Sequence, residues 1–430
     1  MRRGNLSNLP KGFLNTVNSY DTGISNYIYE TKVKALIKVG DILDGKISSE
    51  MLSVFKKMVD RIKKLPVDLQ QRILLDSHFE YWWLEIMNLY KKNNIASLEK
   101  WLEHGGNFGV IENLLCGSSE SFEVNLTNNE IRFPGQLFYI VLNDEIESNR
   151  SANFISCREN ILIIKNSKRT ISIPLEKILN KIEHINVGYL KNIDDSDTII
   201  DANHPFIEHQ LNNIRSRDKE ANIYGVQEVT VEAQKHISES LEILESVWRG
   251  FKAEFNSHVS LVIPFTANGI DAFTNSKWPK AIFISNNYSN IPYTIERIVH
   301  ETSHLRLNRI NIKDRLHLHD DSYTVPSPFR KGPRPVIGLI HGIYVFTRVA
   351  HAMSKIFKET GEKIYIDRIA FIIKQVTEAI GILEERVKVT PLCRDMIKEM
   401  KNEIDSLEVL VLNENPNPIS SKDLSQLFLK

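Results

Sequence analysis

The chain reads as an α+β protein, mainly α, with an N-terminal helical segment, a small antiparallel β region and a helical C-terminal unit that carries candidate metal ligands. Three observations predict this. Apolar residues recur at helical spacing before about residue 110 and again after about 226. Between roughly 120 and 175 the period shortens to that of strands. The segment RIVHETSHLRL, residues 297–307, sets two histidines four positions apart within a helical pattern. The expected division is 1–110, helical; 111–225, a β-containing region with a linker; and 226–430, a helical domain with the histidine pair.

Residues 1 to 30 carry little periodicity and many Asn, Gly and Ser, and read as a loosely ordered lead-in. Met51, Leu52, Phe55, Met58, Val59, Ile62 and Leu65 then recur at helical spacing, with Ser48 or Ser49 as N-cap and Pro66 as a stop. QQRILLDSHFEYWWLEIMNLYKK predicts a second, aromatic-rich helix and IASLEKWLEHGG a third. SFEVNLTNNEIRFPG, LFYIVLND, NILIIKNS and TISIPLEK predict short strands split by turn residues. The polar stretch from about 190 to 220 reads as a linker or surface excursion. A long amphipathic helix is expected over 226–255, followed by two apolar runs of strand propensity, HVSLVIPF and KAIFISNN. The histidine helix begins after SNIPY, with Ser289 or Asn290 as cap and Pro292 in its first turn, and helices over about 335–358 and 364–389 complete the unit.

Composition excludes several classes. Lys plus Arg and Asp plus Glu both number 54, so no global field draws the chain toward nucleic acid or an anionic membrane. The N-terminal basic residues are followed by no apolar run, and no uninterrupted apolar stretch approaches the roughly 20 residues of a membrane helix. Three well-separated cysteines, Cys116, Cys157 and Cys393, fit a reducing compartment. The expectation is a cytoplasmic protein with neither nucleic acid nor membrane as a partner.

On a helix, residues four apart lie one above the other, so His300 and His304 can present imidazole nitrogens to one divalent cation. Ile295, Ile298, Val299, Thr302 and Leu305 predict partial burial, which a metal makes tolerable for a histidine pair. Two incidental histidines on a surface helix give the same spelling. The segment SPFRKGPRPVIGLIHGIYVFTRVAHAM offers His341 as a third ligand, on a helix whose Gly338 and Gly342 would admit close approach of another helix. Simple close packing would explain those glycines equally well. The cluster RLHLHDD, with His317, His319, Asp320 and Asp321, competes for the third position but reads as solvated loop. Glu384 and Glu385 are weaker options, and the remaining eight histidines have no spacing partner.

Together, VHETSHLRL and SPFRKGPRPVIGLIHGIYVF resemble the HExxH-motif peptide-modification proteins of ribosomal peptide natural product (RiPP) pathways, over about residues 260–355. The resemblance implies an Fe(II)- and 2-oxoglutarate-dependent dioxygenase that hydroxylates a side-chain β-carbon in a ribosomally made peptide. It carries over to His300, Glu301 and His304, then to Arg334, Pro335, Gly338 and Gly342. His341 falls where family members often have a polar residue. Phe329 and Gly332 stand where the family tends to have an acidic residue and a tryptophan, which touches the substrate pocket more than the metal. Within this reading an arginine fork can grip the distal carboxylate of 2-oxoglutarate; Arg334, at the start of a helix, is the candidate, with Arg330 and Lys331 assisting. A salt bridge at a helix terminus is the plain alternative for Arg334. A zinc peptidase with Glu301 as general base satisfies the same motif. A catalytically idle peptide-binding protein is the third reading. The first 225 residues carry no catalytic motif and are expected to help hold the peptide.

Overall fold

The computed structural model describes residues 12–16, 22–127, 129–142, 153–166, 169–193, 196, 198–217, 222–226, 231–268, 270–285, 290–330 and 332–415. The fold is α+β and mainly α. Most of the predicted lead-in, together with Ser289 and Lys331, lies outside these residues. From Thr22, however, the lead-in is helical.

The N-terminal part is built from α1 (Thr22–Leu43), α2 (Ser49–Lys63), α3 (Val67–Leu74), α4 (Ser77–Lys91), α5 (Ile95–Glu103) and α6 (Val110–Leu115). Ser48 caps α2 by accepting the Met51 amide, as its position before an apolar repeat requires. The expected aromatic-rich helix is two helices. Asp76 accepts the amides of His78 and Phe79, and this cap starts α4 two residues after α3 ends.

Next come β1 (Phe122–Val124), β2 (Glu130–Arg132), β3 (Phe138–Val141), β4 (Asn153–Arg158), β5 (Ile161–Lys165), β6 (Thr170–Pro174), α7 (Leu175–Leu179) and β7 (Val187–Tyr189). They form two small antiparallel sheets, ordered β1-β4-β5-β6 and β2-β3-β7, around a core that includes Ile131, Ile155 and Leu162. This is the antiparallel region the alternation predicted.

The stretch expected to be a linker is not a surface excursion. It forms β8 (Lys191–Asn192), β9 (Ile199–Ile200) and α8 (Pro205–Arg217), and Ile199, Ile200, Phe206, Ile207 and Leu211 are buried. These few apolar residues are dispersed among polar ones, so no periodicity reveals them.

The strand β10 (Asn222–Val226) leads to α9 (Val231–Val247) and α10 (Phe251–His258), then β11 (Leu261–Asn268), β12 (Ala272–Asn275) and β13 (Trp278–Ser285). The long helix predicted over 226–255 is broken at Gly250, whose φ of 87° no helix accommodates. Strand β11 runs parallel to both β9 and β13, within a mixed sheet completed by β8, β10 and β12. Parallel strands covered on both faces read as continuous apolar runs, as these do. Successive residues alternate between two cores: Leu261, Ile263 and Phe283 face the N-terminal helices, whereas Val262, Ile282 and Ile284 face the C-terminal ones.

The C-terminal bundle comprises α11 (Ile291–Lys313), α12 (Val336–Thr360), α13 (Lys363–Arg386) and α14 (Pro391–Glu414), with the short ribbon β14 (Thr324–Val325) and β15 (Arg334–Pro335) before α12. Asn290 caps α11 through the Tyr293 amide. Helix α14 is additional to the two helices expected here. Helix α12 is long and apolar enough to cross a membrane, but 72% of its most apolar stretch is buried inside the protein, as befits a core helix.

Candidate metal and anion site

Helix α11 buries Ile295, Ile298, Val299 and Leu305 in the C-terminal core and turns His300 and His304 toward Phe346 and His341 of α12. His300 Nε2 and His304 Nε2 are 3.2 Å apart. Two imidazole nitrogens bound cis to one ion at about 2.1 Å stand roughly 3.0–3.4 Å apart, so the pair fits two coordination positions as it stands. From α12, His341 brings its Nδ1 to 2.7 Å from His304 Nδ1, and the two rings stack with centroids 4.9 Å apart.

His304 therefore lies between the other two, using opposite edges of its ring. The lone pairs of one imidazole diverge, so a third nitrogen from His341 can join the Nε2 pair only if its ring or that of His304 turns. Among the described residues, no group of three or more His, Cys, Asp or Glu donors surrounds one point. In the geometry shown, His341 orients His304, the usual role of a group bonded to the far nitrogen of a ligating histidine.

The electrostatics keep the lone pairs free. Burial pushes His300 down to about 4, against the pull of Glu296 and with help from Arg368 and Arg330. Burial likewise holds His304 well below its ordinary value, His300 and His341 adding to the effect. It lowers His341 to about 4, with Arg334 next in weight. All three are neutral at pH 7, the form that binds a cation. Glu296, one turn before His300, is occupied by a two-point pair with Arg368 of α13. Burial pushes Glu301 up to about 8, opposed by the Thr274 hydroxyl, Arg330 and Arg297; its Oε2 has no hydrogen-bond partner among the described residues.

The two glycines of α12 act differently from the expectation. They do not admit a second helix. A Cβ on Gly342 would lie 2.3 Å from the ring of Phe329, and one on Gly338 would lie 3.5 Å from Nε of Arg334. Gly342 seats the Phe329 ring, not α11, whereas a Cβ at Gly338 would make only ordinary contact with Arg334. Phe329 stacks on Phe346, centroids 5.0 Å apart, and Phe346 meets His300 edge to face, also at 5.0 Å. Gln375 of α13 donates to Pro328 O at 3.1 Å and fixes the loop from the other side. Arg334 and the exposed Arg330 are thereby held next to the histidines, and among the described residues neither has an ion-pair or hydrogen-bond partner. The helix-terminus salt bridge considered for Arg334 is absent among the described residues.

The RLHLHDD segment serves elsewhere. His319 Nε2 accepts the Lys388 amide, Arg315 pairs with Asp321, and His317 bridges to Val389. Glu384 pairs with Lys401. None of these contacts reaches the histidine cluster. The Phe329–Phe346 wall and the Glu296–Arg368 pair carried no sequence signal beyond residue type. A cleft of about 1490 Å³ opens between α2, α5, β1 and α8, with Trp101, Phe122 and Phe206 among its lining residues and none of the three clustered histidines. No family model matches the chain, and no curated protein matches it.

Proposed function

We propose that the chain is an Fe(II)/2-oxoglutarate-dependent oxygenase that hydroxylates a side-chain β-carbon in a ribosomally made peptide. One observation supports this reading beyond the resemblance: two arginines without anionic partners among the described residues stand beside a neutral histidine cluster. An arginine pair suits the distal carboxylate of a dicarboxylate co-substrate. His300 and His304 would hold the metal, with His341 as third ligand after a ring rotation or as the group that orients His304. Arg334, assisted by Arg330, would bind the distal carboxylate. The Phe329–Phe346 wall excludes water from one side of His300. Bound iron with 2-oxoglutarate supplies the activation of dioxygen; the protein's own part is binding, orientation and exclusion of solvent. The N-terminal half would help hold the peptide.

The zinc-peptidase reading rests on Glu301, whose buried Oε2 is available to a metal-bound water. Burial pushes this carboxyl up to about 8 in the metal-free protein, and a dication bound beside it would draw it back toward the ionised form that a general base needs. The test is anaerobic loading with Fe²⁺ and 2-oxoglutarate, then oxygen and a precursor peptide, with mass spectrometry of the product. A gain of one oxygen atom coupled to succinate supports the oxygenase; a cleaved backbone without oxygen demand hands the site to the peptidase. In the same preparation Arg334→Ala should weaken 2-oxoglutarate binding about thirtyfold, for a loss of about 2 kcal/mol, and leave metal binding intact. His300→Ala and His304→Ala should each abolish stoichiometric metal, and metal retained in both would leave only the peptide-binding reading.

A further inference from the structure

Helices α11 and α12 meet at the histidines, yet the strongest polar link between them lies two turns deeper. Arg348 of α12 donates from Nε to Ser303 Oγ at 3.0 Å, one residue before His304, and from Nη2 to Glu254 of α10. Arg306 of α11 reaches the other oxygen of Glu254 at 3.0 Å. Glu254 and Arg348 are fully buried and Arg306 is 2% exposed. Two guanidinium groups, neither of which can release its proton, thus share one carboxylate in a dry core.

The excess positive charge is met by main-chain carbonyls of the segment Gly12–Thr16. Arg306 donates to Asn15 O at 2.7 Å and to Gly12 O at 3.4 Å, and Arg348 donates to Phe13 O at 2.9 Å. Tyr344 Oη adds a contact to Phe13 O, and the Leu14 amide donates to Glu399 of α14 at 2.8 Å. The Phe13 side chain joins the C-terminal core, 8% exposed.

We infer that Gly12–Thr16 is a positioning strap. Its carbonyls accept from Nη1 and Nη2 of Arg306 and from Nη1 of Arg348, leaving Arg306 Nε without a partner among the described residues, and so fix the spacing of α11 and α12 that places His304 against His341. The strap acts on the histidines through these arginines and touches no reacting group. It holds whether or not the histidines take a metal.

The test is amide hydrogen exchange in the full-length chain. Phe13→Ala should speed exchange across residues 300–308 and 340–350 about tenfold or more relative to β4–β6, which belong to another core. Phe13→Leu should restore the ratio to within about threefold of the original. Leu162→Ala, a core truncation in β5, should shift the ratio the opposite way. If Phe13→Ala proves insoluble, Glu399→Ala removes only the acceptor of the Leu14 amide and should move the same two segments in the same direction. Equal acceleration of both cores, or none in α11 and α12, overturns the strap. A Co²⁺ titration followed by its visible spectrum separates this from the functional reading: affinity lowered about tenfold in the strap variants supports coupling to the histidines, whereas unchanged affinity overturns it. Failure of the unsubstituted chain to bind Co²⁺ removes the metal assignment and leaves exchange to decide the strap.

Discussion

Two buried glutamates are reached from the same helix and neutralised by different means. Arg309 of α11 reaches Glu80 of α4, which also pairs with Lys32 of α1; Arg306, one turn earlier, reaches Glu254, which also pairs with Arg348. Around Glu80 the second cation is a lysine that spends a further hydrogen on Leu74 O, and Lys280 stands nearby. Burial lowers both lysines, so either can shed its charge. Around Glu254 both cations are arginines, whose charge is permanent. A cluster of one arginine and lysines can therefore shed part of its charge by titration, whereas a cluster of two arginines has to recruit dipoles. The strap Gly12–Thr16 supplies those dipoles at the second.

This contrast ranks the substitutions. Glu254→Gln should cost most, about 3–5 kcal/mol in urea unfolding, because it strands two guanidinium groups in the core. Glu80→Gln should cost less, about 1–3 kcal/mol, since Lys32 and Lys280 can turn neutral; equal losses would dissolve the comparison. Lys32→Arg, which installs a permanent charge beside Glu80, should destabilise by about 1–2 kcal/mol although the formal charge is unchanged. The smallest effect is a slope. Lys32 has a folded pKa below its unfolded 10.5, so between those values the unfolded chain binds more protons and stability rises with pH. Lys32→Met should flatten that rise, read as urea midpoints as the pH is raised toward 10.5, and a steeper rise would mean the lysine is not the group titrating.

Local features of the fold were legible in the sequence, and those set by distant partners were not. The cap at Ser48, the antiparallel strands and the start of α11 at Asn290 each follow from a few neighbouring residues. The break at Asp76 is hidden because apolar residues run through it on both sides, and the apolar runs at β11 and β13 do not announce that they pair in parallel. At the candidate site, the placing of His300 above His304 was readable from their spacing, whereas His341 was expected beside them on account of glycines that in fact face Phe329 and Arg334. The purpose of Gly342 was not readable, since the ring that presses on it, Phe329, comes from the loop before the helix. Glu254, Arg306 and Arg348 join across 94 positions of chain, and no local pattern relates them.

The seat at Gly342 has a consequence for reach. Phe329 and Arg330 are adjacent, so the depth to which the ring sinks into α12 decides how far out the guanidinium begins. A single methyl at position 342 would lift the ring, because its carbon would fall 2.3 Å from two ring atoms. The arginine would then start from a displaced anchor, while every residue it could touch in a ligand stayed the same. Position 342 thus works as a depth stop: a site with no functional group of its own that gauges where a charge two layers above it can stand.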